Sequence, residues 1–401
     1  MSELYNKASS ANRTHIGLFG RMNAGKSTLL NALTDQTVSI VSSRAGTTTD
    51  VVRKPMEIHG IGACTFLDTA GIDDSGEIGE LRVKAAGKAA AQTDIAVMVF
   101  YDRDDSLERQ WTEEFRKRKV PVVGVLGHAD ELGREAAWER AAKLEKILGI
   151  PVIPFADKWE GCAEEIRKAL VEAAAGRGER RTITGNLVKA GDSVILVMPQ
   201  DPQAPEGRLI QPEVQTIREL LDKHCIVHCT AAEELPALLA SLKEEPELVI
   251  TDSQIFREVH DLLPAGVKLT SFSILFAGFK GDMRYFADSA KKIEELTEDS
   301  RVLIAECCTH APMEEDIGRV KIPRLLRKAV GEKVTVDVKA GTDFPEDAGK
   351  YDLIIQCGSC MFNRRYVISR VEQAKRQGVP MTNYGIAIAQ LTGILDEVTL
   401  P

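Results

Sequence analysis

The chain has 401 residues, long enough for two or three domains with full-sized cores. A formal net charge of −9 argues against nucleic acid or an anionic membrane as a general partner, since both demand clustered positive charge. No apolar run approaches the ~18 residues of a membrane span and residues 1–15 are polar, so a cytoplasmic protein without a signal peptide is expected; its eight cysteines then point to metal or redox chemistry before disulfides.

The first element is the apolar run His15 to Phe19, which predicts a strand ending at Gly20. Gly20-Arg21-Met22-Asn23-Ala24-Gly25-Lys26-Ser27 follows, and Thr28 to Leu33 has the pattern of a helix. Strand, glycine loop and helix in this order are the setting a phosphate-binding loop requires. Backbone N–H groups from Gly20 to Thr28 and the positive end of the helix would face phosphates, Lys26 would add charge at the β and γ groups, and the Ser27 hydroxyl would ligate Mg²⁺. Two further loops follow. Gly46-Thr47-Thr48-Thr49-Asp50 offers the Thr48 hydroxyl to the same metal, and Asp68-Thr69-Ala70-Gly71 closes the strand around Thr65 to Leu67. Asp68 would hold Mg²⁺ through water and the Gly71 N–H would sense the γ-phosphate, so both loops should order with the triphosphate and relax after hydrolysis.

These motifs resemble the Era and TrmE type of GTPase over roughly residues 12 to 172. The resemblance implies that Asn23 helps hold a K⁺ ion that supplies transition-state charge, with Lys26 and Thr48 completing the catalytic set. Ile72 stands where Ras-like enzymes have a water-positioning glutamine, which implies slow hydrolysis. The base-recognition motif departs further. After the expected strand Val122 to Leu126, Asn-Lys-x-Asp is replaced by Gly127-His128-Ala129-Asp130. Asp130 keeps the contacts to guanine, and Ala156, after the strand Pro151 to Pro154, keeps a backbone contact to the base, but the supporting Asn and Lys are gone.

Beyond Ala173 a glycine- and arginine-punctuated stretch predicts a linker over 175–187. Expected strands at Ser193 to Met198, Ile226 to Val227, Leu248 to Ile250 and Val267 to Leu269, with helices such as Val214 to Lys223 and Glu233 to Lys243, predict a small parallel sheet over 188–270. With no catalytic constellation in it, this module suits dimerisation through a sheet edge. From 271 to 401 the alternation repeats. Strands at Val302 to Ala305, Val334 to Val338, Leu353 to Ile355 and Pro380 to Thr382 alternate with helices around Arg284 to Leu296, Ile322 to Val330 and Met361 to Gln377. The whole chain is therefore expected to be α/β in three domains: a P-loop GTPase fold over 1–174, the dimerisation module, and a parallel-sheet metal-binding domain.

The metal reading rests on Cys308-Thr309-His310 and, after 46 intervening residues, Cys357-Gly358-Ser359-Cys360. Ligands of open parallel sheets collect beyond the carboxyl ends of the strands, where Cys308, Cys357 and Cys360 all fall. Cys357 and Cys360 are expected to flank the start of a helix, whose dipole favours thiolates. Three thiolates suit a 4Fe-4S cluster with an exchangeable fourth position, or, with His310, a closed zinc site; spacing does not separate the two. Cys64 and Cys162 are expected in the core, Cys225 and Cys229 beside a strand, and Cys307 pointing away from Cys308.

Taken together, a GTPase domain, a middle α/β module and a Cys-x-His plus Cys-x-x-Cys domain resemble the FeFe-hydrogenase maturation GTPases over essentially the whole chain. That resemblance implies a homodimeric scaffold whose 4Fe-4S domain, 271–401, receives a diiron precursor from two radical-SAM maturases and delivers it to apo-hydrogenase, with GTP as the timing signal. Members of the family often carry a histidine immediately before Cys-x-x-Cys; Gln356 stands there, which leaves His310 or an acid of the following segment, Glu315 first, as a possible fourth ligand. The alternative is a GTPase whose zinc site staples a protein- or RNA-binding domain.

Overall fold

A computed structural model describes residues 13–34, 51–73, 76–101, 104–176, 181–199, 209–307 and 316–401. The chain divides into two compact units, Met1–Glu179 and Arg180–Pro401.

In the first unit six strands form one sheet in the order β2-β3-β1-β4-β5-β6, with β1 Thr14–Gly20, β2 Val52–Ile58, β3 Gly62–Asp68, β4 Ile95–Phe100, β5 Val122–Leu126 and β6 Val152–Pro154. All neighbours run parallel except β2, an antiparallel edge strand that tolerates Pro55. β4 shows why the sheet is central. Its side chains alternate, Ile95, Val97 and Val99 entering one apolar core and Ala96, Met98 and Phe100 the other. Helix α1, Lys26–Thr34, buries Leu29, Leu30 and Leu33 in the first of these cores. The carboxyl ends of β1, β3, β4 and β5 thus share one edge, where the phosphate-loop residues lie.

The second unit contains two four-stranded parallel sheets of identical connectivity. The first is ordered β10-β9-β7-β8, from β7 Ser193–Val197, β8 Ile226–Thr230, β9 Leu248–Thr251 and β10 Leu269–Ser271. The second is ordered β12-β11-β13-β14, from β11 Arg301–Ala305, β12 Thr335–Lys339, β13 Leu353–Gln356 and β14 Met381–Asn383. In both, the second strand lies at an edge beside the first, and the chain reverses its direction of growth between the first and third.

Both fourth strands pass directly into a helix. Ser271 caps Phe272–Lys280 by accepting from the Ile274 N–H, and Asn383 caps Tyr384–Leu391 by accepting from the Gly385 N–H. The two helices pack on each other, and Gly385 is needed there because a Cβ would meet the Ser271 and Ser273 side chains at 2.9 and 3.0 Å. One apolar core then serves both sheets, taking Ile195, Val249 and Leu269 from the first and Leu303, Ile354 and Met381 from the second. Separate cores cover the outer faces.

Several expected elements change in extent. The helix expected from Met361 begins only at Arg364, capped by Asn363, so Cys357 and Cys360 lie on a loop before the helix rather than at its first turn. Helix Arg284 to Leu296 is Met283–Ala290 followed by a 3₁₀ turn Lys291–Glu295. The helix Phe272–Lys280 escaped the sequence reading because, packed between two sheets, it is apolar almost all round and shows no amphipathic period. In the linker stretch, Ile183 and Thr184 are buried and their N–H groups donate to the Glu219 carboxylate, so the chain is tied to the second unit from there on. Among the described residues no helix is long and apolar enough to cross a membrane.

A shared core couples the two sheets. Leu303→Ala removes a fully buried side chain from it and should cost about 2–5 kcal/mol. Hydrogen exchange should then show the β7 and β11 amides losing protection together; loss confined to β11–β14 would mean that the sheets unfold separately.

Candidate functional site

Two sites emerge, one in each unit. In the first, β1 ends at Gly20, whose positive φ of 150° and 2.5 Å clearance from the Val99 carbonyl for a Cβ leave room for glycine alone. Asn23 and Gly25 also hold positive φ, 59° and 92°, the alternation that turns successive N–H groups into an anion-binding concavity. Lys26 is buried and its Nζ donates to the Gly20 and Arg21 carbonyls at 2.8 and 2.7 Å, which folds the amine over the loop. Ser27 Oγ donates to Asp68 Oδ2 at 3.2 Å, so the two groups expected to share Mg²⁺ already touch. Burial pushes the Asp68 carboxyl up, against the Ser27 hydrogen bond and the Lys26 charge.

Gly71 packs against the loop closely enough that a Cβ would meet the Met22 nitrogen at 2.8 Å. Ile72 is buried in the core and its N–H donates to the Gly20 carbonyl at 3.3 Å. The position that holds a glutamine in Ras-like enzymes therefore faces inward here. Arg21 is engaged as well, pairing with the buried Glu108 at 3.1 Å and with Asp104 at 3.2 Å. Thr28 is exposed at the start of α1. Thr48 lies outside the described residues.

At the base end, the backbone joins β5 and β6: Phe155 N–H donates to the Leu126 carbonyl at 2.8 Å and Ala129 N–H to the Phe155 carbonyl at 3.1 Å. That pairing brings the exposed Asp130 and the buried Ala156 to the same edge. His128, which the sequence reading treated only as a lost lysine, takes up a connecting role. It sits at φ 48°, its Nε2 lies 2.9 Å from the Asn23 carbonyl, and its ring is 4.6 Å from that of Tyr101. Gly127 has no room for a side chain, because a Cβ there would collide with the Ala24 carbonyl.

In the second unit, β11 and β13 are neighbours in register Ala305↔Gln356, and Cys357 N–H donates to the Ala305 carbonyl at 3.1 Å. Cys307 and Cys357 consequently leave the sheet together, with the Cys307 N–H 3.1 Å from Cys357 Sγ. Cys307 Sγ donates to Ser359 Oγ at 3.1 Å and receives Gln356 Nε2 at 3.1 Å. The contact between Cys307 and Cys357 was not expected from the sequence; the strand-end position of Cys307, two residues past the Ala305–Gln356 pair, was the available signal. The loop after β13 is held from below: Lys280, buried, donates to the Ser359 and Phe362 carbonyls, each at 2.8 Å. Ser359 adopts φ 56° at the tip, and Cys360 is half-buried.

The electrostatics of the pair are unequal. Burial pushes the Cys307 thiol up, but the hydrogen bond with Cys357, the Arg370 guanidinium and the Ser359 hydroxyl outweigh it and bring it to about 7. Cys357, hydrogen-bonded to Cys307 and buried beside it, is held well above the ordinary thiol range. The helix dipole expected to act on both cysteines gives way to these neighbours. Cys308, His310 and Glu315 lie outside the described residues, and among the described residues no three His, Cys, Asp or Glu side chains cluster as metal ligands. Cys64 and Cys162 are core thiols as expected; Cys225 is buried, and Cys229 is exposed within β8 rather than beside it.

Three family profiles match the chain. Residues 15–127 match a GTPase profile described as 50S ribosome-binding GTPase, 183–281 the Hydrogen maturase F dimerization domain, and 284–401 the Hydrogen maturase F tetramerization domain. Among curated proteins, the chain is 36% identical over 130 residues to the tRNA modification GTPase MnmE of Halorhodospira halophila, covering 31% of this chain and 27% of that protein. It is 30% identical over 215 residues to MnmE of Jannaschia sp., covering 44% and 50%. The chain thus spans between about a fifth and a half of the length of the curated relatives it matches. A solved structure of the G domain of the T. maritima FeoB iron transporter aligns with 22% identity and a TM-score of 0.32, covering 41% of this chain and 99% of that one. With the dimerization and tetramerization profiles together matching more than half of its length, behind a GTPase domain, the chain belongs to the hydrogen maturase F family.

Proposed function

We propose that this protein is a GTP-hydrolysing scaffold of FeFe-hydrogenase maturation, which binds a 4Fe-4S cluster in its last domain, 271–401, and delivers a diiron precursor to apo-hydrogenase in the cytoplasm. The observation that carries the reading is the convergence of Cys307 and Cys357 at the β11–β13 edge, with Cys360 on the same loop, in a chain of this family. Half-buried Cys357 and Cys360 beside the buried Cys307 and the buried Arg370 guanidinium form a soft-donor setting that fits an anionic iron–sulfur cluster. Cys308, Cys357 and Cys360 would hold it, with Glu315 or His310 as fourth ligand, and its open iron would supply a point of attachment for the cargo. Gln356 and Ser359 orient the thiols by hydrogen bonds, and Lys280 fixes the loop that carries them.

In the GTPase domain, Gly20, Asn23, Ala24, Gly25, Lys26, Ser27 and Thr28 would cradle the phosphates. Mg²⁺ would be held by Ser27 and Thr48, with Asp68 acting through water. Gly71 would sense the γ-phosphate, Asp130 and Ala156 would read the base, and K⁺ at Asn23 would supply charge that Ile72 cannot. Homodimerisation is assigned to the module 188–270, where β8 is an edge strand whose Ile226 side chain is exposed. The two radical-SAM maturases would load the cargo, and GTP would time partner exchange.

Iron and sulfide analysis after anaerobic purification tests the centre. About four irons with matching sulfide and no zinc are expected, and Cys357→Ala should lose the visible absorption; one zinc per chain would replace this reading with a zinc-stapled one.

Lys26→Ala should abolish GTP hydrolysis while leaving the iron content at the wild-type level, because the two sites lie in different units. Wild-type hydrolysis should be slow and faster in K⁺ than in Na⁺. Iron lost in the variant would make the GTPase part of cluster assembly, and equal rates in the two salts would remove K⁺ from Asn23.

Restoring the usual asparagine should fail here. Gly127→Asn drives a Cβ into the Ala24 carbonyl, so titration with a fluorescent GTP analogue should show weaker binding than wild type. His128→Ala, which removes one polar tie to the loop, should cost about 1 kcal/mol in the same assay. Tighter binding by the asparagine variant would mean that the loop moves aside readily.

A further inference from the structure

Arg370 is 2% exposed. One terminal nitrogen, Nη1, donates to Gln356 Oε1 at 2.9 Å and lies 3.6 Å from Cys307 Sγ. The other, Nη2, donates to the Gly341 carbonyl at 2.5 Å and to the Tyr366 hydroxyl at 3.3 Å. The rings of Tyr366, Phe344 and Phe362 surround the guanidinium at 4.7, 5.0 and 5.7 Å. Among the described residues, none of these partners is a carboxylate. A buried cation held only by neutral acceptors and ring faces is costly, so an anion is due at this place. The ionisable groups around it are Tyr366, whose hydroxyl it contacts, and the two cysteines, with the Cys307 sulfur nearest. Gln356 extends the reach of the charge: its Oε1 faces Arg370, while its Nε2 donates to Cys307 Sγ at 3.1 Å and lies 3.8 Å from Cys357 Sγ.

We propose that Arg370 is the buried counter-charge of the cysteine site, a positioning residue that acts partly through Gln356 and sets the potential at which a cluster bound there accepts an electron. The proposal rests on the cluster reading above. One electron arrives from a low-potential donor and no bond forms or breaks; the fixed cation, in a medium of low dielectric, favours the state carrying the extra negative charge. The aromatic cage keeps water from screening it.

The test uses the full chain, reconstituted anaerobically, with iron content and the midpoint potential from an EPR-monitored titration read in each variant. Arg370→Gln should bind iron with a midpoint more negative than wild type. Arg370→Lys, which keeps the charge, should stay near wild type. Gln356→Glu leaves the guanidinium in place but sets a carboxylate against it, and its midpoint should also move negative. An unchanged midpoint in both Arg370→Gln and Gln356→Glu, with the cluster present, overturns the proposal; if Arg370→Gln does not fold, an unchanged Gln356→Glu overturns it alone. Wild-type protein that holds zinc, or no iron, fails before any titration and overturns the cluster reading together with this one.

Discussion

The cysteine site depends on the side-by-side parallel pairing of β11 and β13. In an open sheet that grows first to one side and then to the other, the chain departs from these two strands in opposite directions, leaving a crevice between their ends. The Ala305–Gln356 register fixes the heights at which the two chains leave, so Cys307 and Cys357 reach the crevice together although 49 residues separate them in sequence. A slip of one residue would turn Cys357 to the opposite face, which the buried Ile304 and Ile355 prevent by belonging to the outer core. The apolar pattern of two strands thus decides where the sulfur atoms lie.

Around that crevice the fold spends polar side chains where an ordinary core would use apolar ones. Lys280 carries its charge to the carbonyls of the 359–362 turn, Asn383 caps a helix and also donates to the Gln356 carbonyl, and Gln356 links Arg370 to both sulfurs. Each of these groups is buried, and each is matched to a specific partner. A network of this kind rigidifies only when all its members are satisfied. Lys280 belongs to the helix Phe272–Lys280 and Asn383 to the end of β14, so the junction of the two sheets supports the site from beneath. The apolar core shared by the two sheets and this polar layer therefore meet at one junction.

Much of this was legible in the sequence, and the failures have identifiable causes. Strands were legible wherever a short apolar run met a turn signal, as in Val122–Leu126, and the phosphate loop was legible because glycine spacing follows directly from backbone sterics. The helices Phe272–Lys280 and Tyr384–Leu391 were not, since burial on all sides erases the period on which such a reading relies. The contact between Cys307 and Cys357 was not legible, because it depends on how the two chains leave the sheet beyond the Ala305–Gln356 pair. His128 was missed because a substitution was read as a loss. In the fold its imidazole reaches the Asn23 carbonyl and so ties the base-recognition turn to the phosphate loop.

One contact sets the order in which the second unit can be completed. β10 has β9 on one side, and on the other it bridges Val398 while the Leu269 carbonyl accepts from the Thr399 N–H; Leu400 packs on the same shared core. During synthesis, the first four-stranded sheet therefore waits for chain made after the whole of the second. The GTPase unit is compact within Met1–Glu179 and can close while the rest is still being translated. For most of its time on the ribosome the nascent protein is then a folded nucleotide-binding domain trailing an open half. The free edge of β10 stays open until residues 398–400 emerge, so chaperone protection matters most late in translation.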